Sequence, residues 1–292
     1  MNRILRATSK NNEVRAFVAE TKDLVNTAVK IHRTTPVASA ALGRLLTAGA
    51  IMGIGLKGTK DLITISIKGD GPLGGVLVTT DSNGYVKGYV NNPEVDIPLK
   101  ENGKLDVSSA IGKGTLTVIR DFGLKEPYIG QVELVSGEIA DDLTYYYASS
   151  EQVPSVIALG VLVDIDLTIK ESGGFMIQLL PGATEETIQT IEKNIYEIPS
   201  VTTMFTEGLK AEDILGRILN GLEPKVHEII QPEYKCNCNR KKVEKAIIGI
   251  GKKDIQEMID DGKTIETNCH FCDKTYNFTI DELKVILEKA DK

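Results

Sequence analysis

The residues most able to do chemistry are four cysteines near the C-terminus. They read Cys236-Asn237-Cys238 and, after thirty intervening residues (239 to 268), Cys269-His270-Phe271-Cys272. The chain has no other cysteine. Four thiols in two close pairs suit a tetrahedral zinc site, which takes thiolates at about 2.3 Å and needs no other ligand type. Each pair offers two ligands from one turn, and the segment between must bring the pairs together. Unrelated buried thiols would not fall into two pairs. A structural disulfide pair would suit a secreted chain. The spacing also invites oxidation, because thiols this close in sequence can join each other. The site is then either a structural zinc or a zinc that keeps two dithiols reduced until an oxidant arrives. Spacing alone does not choose between them.

The elements that must position these thiols come from 292 residues, a length that suggests about two domains. Apolar residues make up 41%, enough for a substantial core, whereas aromatics are only 5% and Trp is absent. That is poor material for stacking nucleic-acid bases. The net charge of −7 disfavours nucleic acid and anionic membranes as partners. Residues 232–292 carry 12 basic and 12 acidic side chains, so no basic patch emerges there either. Met1 to Lys10 holds Arg3 and Arg6 but no apolar run of the signal-peptide kind. The expectation is a cytoplasmic protein, where thiols stay reduced.

Residues 2–20 read as two strands around Asn11-Asn12. Helical spacing follows from Thr21 to His32. Val37–Leu56 is long enough to span a membrane, but Arg44, Ser39, Thr47 and glycines 43, 49, 53 and 55 point to a buried helix of small residues. The next hundred residues are mainly strand. Residues 62–67 alternate cleanly, and Asn83-Gly84 marks a hairpin because both residues tolerate positive φ. Further strands are expected at 114–120, 128–135, 156–169 and 175–180, with a helix at 138–149 capped near Ser136. Hairpin order with few helices between strands argues for an antiparallel α+β fold. From Thr184 the pattern turns helical, with Ile188, Ile191 and Ile195 on one face. Short helices are expected at 199–207 and 211–220, broken by Gly208, Gly221 and Pro224. Thr279 and Glu282 form a capping box for a last helix.

Other candidate chemistry is weaker. Gly69-Asp70-Gly71-Pro72-Leu73-Gly74-Gly75 lacks the Gly-Lys-Ser/Thr ending of a phosphate loop and reads as a turn between strands. His270 is a neighbour of the thiols that can also act as a ligand. In Tyr145-Tyr146-Tyr147, helical spacing puts at least one ring in the core. Lys235, Arg240, Lys241, Lys242 and Lys274 are either a source of lowered thiol pKa or a solvated face.

The Cys-x-Cys…Cys-x-x-Cys tail resembles the redox switch of the heat shock protein 33 family of oxidation-activated bacterial chaperones. The similarity extends to residues 36–44 (PVASAALGR), 69–74 (GDGPLG), 149–155 (SSEQVPS) and 173–182 (GGFMIQLLPG), in order along the chain. The resemblance implies an N-terminal α+β substrate-binding domain (1–182), a helical linker (183–231) and a C-terminal zinc domain (232–292). It implies one Zn2+ per chain on Cys236, Cys238, Cys269 and Cys272 in a reduced, inactive form. It also implies that oxidation pairs Cys236 with Cys238 and Cys269 with Cys272, expels the metal and unfolds the tail. The activated form would hold unfolding client proteins without ATP and form a homodimer, with no enzymatic activity. The residues agree with this much: a short tail has little core of its own, and a thiolate–metal centre is folding energy. The linker's apolar faces need covers, so loss of the tail would loosen it.

Two other classes make different demands. A thiol oxidoreductase needs Cys-x-x-Cys opening a helix in a βαβ unit, whereas Lys274 to Phe278 reads as a strand. A zinc-ribbon nucleic-acid module is disfavoured by the acidic balance and scarce aromatics.

Overall fold

A computed structural model describes residues 2–290. The chain divides into two compact units that part between Lys235 and Cys236.

The first unit is built on two sheets. One has five antiparallel strands in the order β10-β1-β2-β9-β8: β1 is Arg3–Thr8, β2 Val14–Glu20, β8 Ser155–Val163, β9 Ile169–Leu179 and β10 Lys225–Ile230. The other has six strands in the order β11-β5-β4-β3-β6-β7: β3 is Leu62–Gly69, β4 Val76–Asp81, β5 Tyr85–Val90, β6 Gly114–Asp121, β7 Tyr128–Glu133 and β11 Glu233–Tyr234. All pairings are antiparallel except β11 with β5. The antiparallel α+β reading therefore holds.

The helix expected near Val37–Leu56 is α2, Pro36–Gly53, preceded by α1, Lys22–His32. Pro36 opens α2, where a missing N–H costs nothing. By length and composition α2 could cross a membrane, yet 89% of it is buried inside the protein. It packs against strands of both sheets. Small residues permit that closeness: a Cβ on Gly49 would stand 2.7 Å from Val78 Cγ1. Arg44 escapes burial as a lone charge by pairing with Glu138 at 2.6 Å. A short α3, Val107–Ile111, and α4, Ala140–Ser149, complete this side. The cap of α4 is not Ser136. Asp142 reaches back from the first turn, buried, and accepts the N–H groups of Val135, Ser136 and Ile139. Tyr146 and Tyr147 enter the core, while Tyr145 is exposed.

Two strand details depart from the sequence expectation. The strand read as 156–169 ends at Val163. Asp164–Thr168 form a turn, with the Asp164 N–H donating to the Thr168 carbonyl at 2.8 Å, and β9 starts at Ile169. At Asn83-Gly84 only Gly84 has positive φ, 78°. The Asp81 carboxylate shapes that turn by accepting the N–H groups of Asn83 and Tyr85.

The segment 183–231 belongs to this same unit. It holds α5 (Glu185–Glu197), α6 (Val201–Thr206) and α7 (Ala211–Ile218), and then β10, a strand the sequence did not announce. These helices lie on the face of the five-stranded sheet opposite α2. Their Ile191, Met204, Phe205, Ile214, Leu215 and Ile218 form one buried cluster with Leu5, Val14, Val18, Phe175 and Ile177 of the strands. The inner strands β2 and β9 are thus buried on both faces, and β9 shows no alternation.

The second unit contains α8 (Arg240–Ile250), α9 (Lys252–Asp260), a hairpin of β12 (Ile265–Asn268) and β13 (Thr275–Phe278), and α10 (Ile280–Lys289). The capping box of α10 is present: Thr279 accepts from the Glu282 N–H, and Glu282 accepts from the Thr279 N–H. The unit's core is small: Ile247, Ile255, Tyr276, Phe278, Leu283 and Ile286 are its buried hydrophobic residues.

Candidate metal centre

The two cysteine pairs sit in different local settings, the first in an irregular stretch and the second in a turn. Cys236 and Cys238 lie just before α8, whose first turn is capped by Asn239, its side chain accepting the Lys242 N–H at 3.0 Å. Cys269 and Cys272 occupy the tip of the β12–β13 hairpin. The Cys269 carbonyl accepts the N–H of Cys272 at 3.2 Å and of Asp273 at 2.8 Å, and the Cys269 N–H donates to the Lys274 carbonyl at 3.0 Å. Asp273, with φ 56°, turns the chain back into β13. The predicted strand after Cys272 is therefore real, and no helix follows Cys-x-x-Cys as an oxidoreductase would require.

The four sulfurs converge within 4.8 Å of one another, and His270 is not among the converging groups. The thiols are free and half-buried. Across the pairs, Cys236 and Cys269 lie 3.7 Å apart and Cys238 and Cys272 lie 3.4 Å apart. A tetrahedron with metal–sulfur bonds of about 2.3 Å has edges of about 3.8 Å, so the separations fit such an ion. The donor set fits too, being all sulfur, as zinc's four-thiolate sites are.

Spacing did not reveal one participant. The Tyr276 hydroxyl, on β13, donates to Cys238 Sγ at 3.1 Å. Its signal was an aromatic residue of the strand directly after Cys272. Partial burial opposes ionisation of Cys238. The Tyr276 hydroxyl and the neighbouring thiols outweigh it, so the Cys238 thiol is held down to about 7. In return, the bond to Cys238 pushes the Tyr276 hydroxyl up to about 12. Burial pushes Cys272 up to about 12 and also raises Cys236. The shift at Cys238 thus comes from hydrogen bonds. Of the suspected cations, Arg240 stacks on Phe278 at 4.3 Å and pairs with Glu282, Lys235 lies over the Tyr85 ring, and Lys274 lies 5.5 Å from the centre of the Tyr276 ring.

A chain of this sequence and architecture has known counterparts. The family model described as Hsp33 protein matches residues 2–279. The chain belongs to the Hsp33 family. A 33 kDa chaperonin of Lachnoclostridium phytofermentans is 53% identical over 288 residues, covering 99% of both chains. A 33 kDa chaperonin of Clostridium perfringens is 52% identical, covering 100% of this chain and 93% of the relative. The crystal structure of the Thermotoga maritima 33 kDa chaperonin superposes with a TM-score of 0.91 at 40% identity, covering 100% of this chain and 99% of that one. The family is a family of chaperones.

Proposed function

We propose that this protein is a redox-regulated, ATP-independent holdase. Cys236, Cys238, Cys269 and Cys272 would hold one Zn2+ in the reduced form. The observation that carries the reading is the four-sulfur cluster inside a unit with so small a core. When bound, zinc would supply folding energy to that unit, of order 10 kcal/mol in comparable small domains.

Oxidation acts on the thiols. Forming Cys236–Cys238 and Cys269–Cys272 removes four sulfur-bound protons or their metal equivalents and passes two electrons per disulfide to the oxidant; a peroxide is reduced to water. No thiolate then remains to bind a metal. Each disulfide closes a very small loop and restrains the chain little. The second unit therefore unfolds. We infer that residues 183–231 act as the linker of this switch. Their helices cover Leu5, Val14, Val18, Phe175 and Ile177 on the sheet, so loosening them bares a contiguous apolar face. Such a face binds unfolding clients. The active form is proposed to dimerise and to work in the cytoplasm, without catalysis and without nucleic-acid or membrane partners.

The decisive experiment follows light scattering of a heat-denatured client with thiol-treated and peroxide-treated protein, alongside zinc release. Protection only after oxidation, with stoichiometric zinc release, is expected. Hydrogen exchange should show amides of 184–231 losing protection on oxidation while those of 62–67 keep it. Equal client protection by both forms would make the cysteines structural only.

A further inference from the structure

Strand edges are where a sheet can accept another chain, and proteins ordinarily defend them with charge, proline or brevity. Three of the four edge strands of the first unit follow that rule. β10 carries Lys225 and Glu228, β7 carries Glu133, and β11 is two residues long and includes Glu233. β8 does not. It is the longest of the four at nine residues, Ser155–Val163, with neither charge nor proline. Its side chains are apolar toward both faces of the sheet. Ile157, Leu159, Val161 and Val163 join the core on the α2 side, and Val156 and Ala158 join the cluster on the α5–α7 side. Among the described residues, the main chain of 156–163 is hydrogen-bonded to β9 alone. Every second peptide group of an antiparallel edge strand points outward, so a row of donors and acceptors is left unpaired. Most of these residues are only half-buried.

Beside the start of β8 is a mostly apolar cavity of about 260 Å³, bordered by Pro154, Val156, Ile177, Leu179, Ile188 and Ile191 together with Ser155 and Glu192. It lies on the face where an added strand would direct alternate side chains. We propose that the outer edge of β8 is a docking site for an extended, apolar segment of an unfolded polypeptide, taken up as an added strand. An edge of peptide donors and acceptors at β spacing is satisfied by another strand and by no compact ligand. Apolar neighbours on both faces select an apolar segment; β8 itself carries no charge, and Glu192 at the cavity is the carboxylate beside it. Main-chain bonding supplies affinity that is indifferent to sequence, and the cavity adds a preference for a bulky aliphatic side chain. This inference rests on the chaperone reading and specifies where and in what conformation a client is held. The edge is unpaired in this structure, so a short peptide can dock before oxidation, whereas protecting a client also requires the apolar face bared on oxidation.

The test uses the full-length protein, thiol-reduced and oxidised, and a labelled peptide of alternating valine and threonine with lysines at its ends. A second peptide has the same side chains but is N-methylated at alternate residues, which strips one edge of its N–H groups. Fluorescence anisotropy should show the parent peptide binding in both redox states. The methylated peptide should bind about tenfold more weakly or worse, as loss of several main-chain hydrogen bonds demands. Val156→Lys and Leu162→Lys should weaken the parent peptide by a similar factor; Leu162 is half-buried and outside both apolar clusters, so that variant keeps its fold. The proposal is overturned if the parent peptide does not bind, if both peptides bind alike, or if Leu162→Lys binds undiminished. It is overturned too if that variant loses only a dimer, which would make β8 a self-association edge. Wild-type protein that protects a client yet ignores the peptide defeats this inference alone. Wild-type protein that protects no client in either redox state defeats the chaperone reading.

Discussion

The two units reach a folded state by different means. In the first, α2 brings Leu42, Leu45, Leu46 and Ile51 into a core shared with both sheets, and no metal-binding group is needed there. In the second, six buried hydrophobic residues sit beside four thiols, and one of the six, Tyr276, is also the hydrogen-bond donor to Cys238. A large core is insensitive to redox conditions. On the function proposed above, a small core joined to a sulfur cluster makes folding conditional on the state of sulfur. The difference shows how one chain can pair a permanent platform with a removable part.

The largest effect that could break this comparison is metal removal. Chelating the metal from the reduced protein should unfold the second unit, a loss of order 10 kcal/mol of folding energy, while the first keeps its cooperative thermal transition. A Cys236→Ser, Cys269→Ser double variant should purify without zinc and show the same selective loss by NMR. Second-unit amide signals that stay dispersed without metal would mean that its apolar core suffices.

The reverse prediction concerns the first unit. Leu45→Ala removes a fully buried side chain from α2 and should cost about 2–5 kcal/mol. The melting point of the first transition should fall, with zinc content unchanged.

Much of this contrast was legible in the sequence because it rests on local patterns. The cysteine pairs, the buried small-residue helix and the alternating hairpins each announce themselves within a few residues. What stayed hidden depends on partners distant along the chain. β10, with Lys225, His227 and Glu228, does not read as an ordinary half-buried strand; it stays largely exposed and is a strand only by pairing with β1. β11 is set by its pairing with β5, and by the buried Tyr234, whose hydroxyl donates to the Gly88 carbonyl at 2.8 Å. At the metal centre, spacing placed the sulfurs in two local pairs. Only the fold shows that the two pairs meet, with sulfurs 3.7 and 3.4 Å apart across them, and that a tyrosine bonds to one sulfur.

That tyrosine supports a smaller prediction. Tyr276→Phe keeps the ring in the core and removes the hydrogen bond to Cys238. Groups that orient ligands in this way are commonly worth about 10–100-fold in metal affinity. Competition with a chromophoric chelator should show zinc binding weakened within that range, with the reduced fold intact. Unchanged affinity would reduce Tyr276 to packing alone.

The smallest expected effect concerns how α5 and α7, in the proposed linker, are held to the sheet. The two ends of β2 hold them with carboxylates. At one end Glu13 accepts the Thr184 N–H at 3.1 Å, the Thr184 hydroxyl at 2.8 Å and the Thr187 hydroxyl, at the start of α5. At the other, Glu20 accepts the Ala211 N–H at 2.6 Å, at the start of α7, and pairs with Arg3 at 2.7 Å. The bonds from Thr187 and Thr184 hold the Glu13 carboxyl below its usual range. A carboxyl whose folded pKa is depressed stabilises the folded state fully above its unfolded pKa. That contribution is lost as pH falls through the lower, folded value. Acidification below the ordinary carboxylate range should therefore loosen α5 before the sheets melt. Glu13→Gln should reproduce part of this at neutral pH, since an amide accepts these bonds less strongly. Hydrogen exchange of the reduced protein reads both, as faster exchange across 187–197 with β3 unchanged. A linker that ignores both the substitution and the acid would place its hold on the sheet in apolar packing alone.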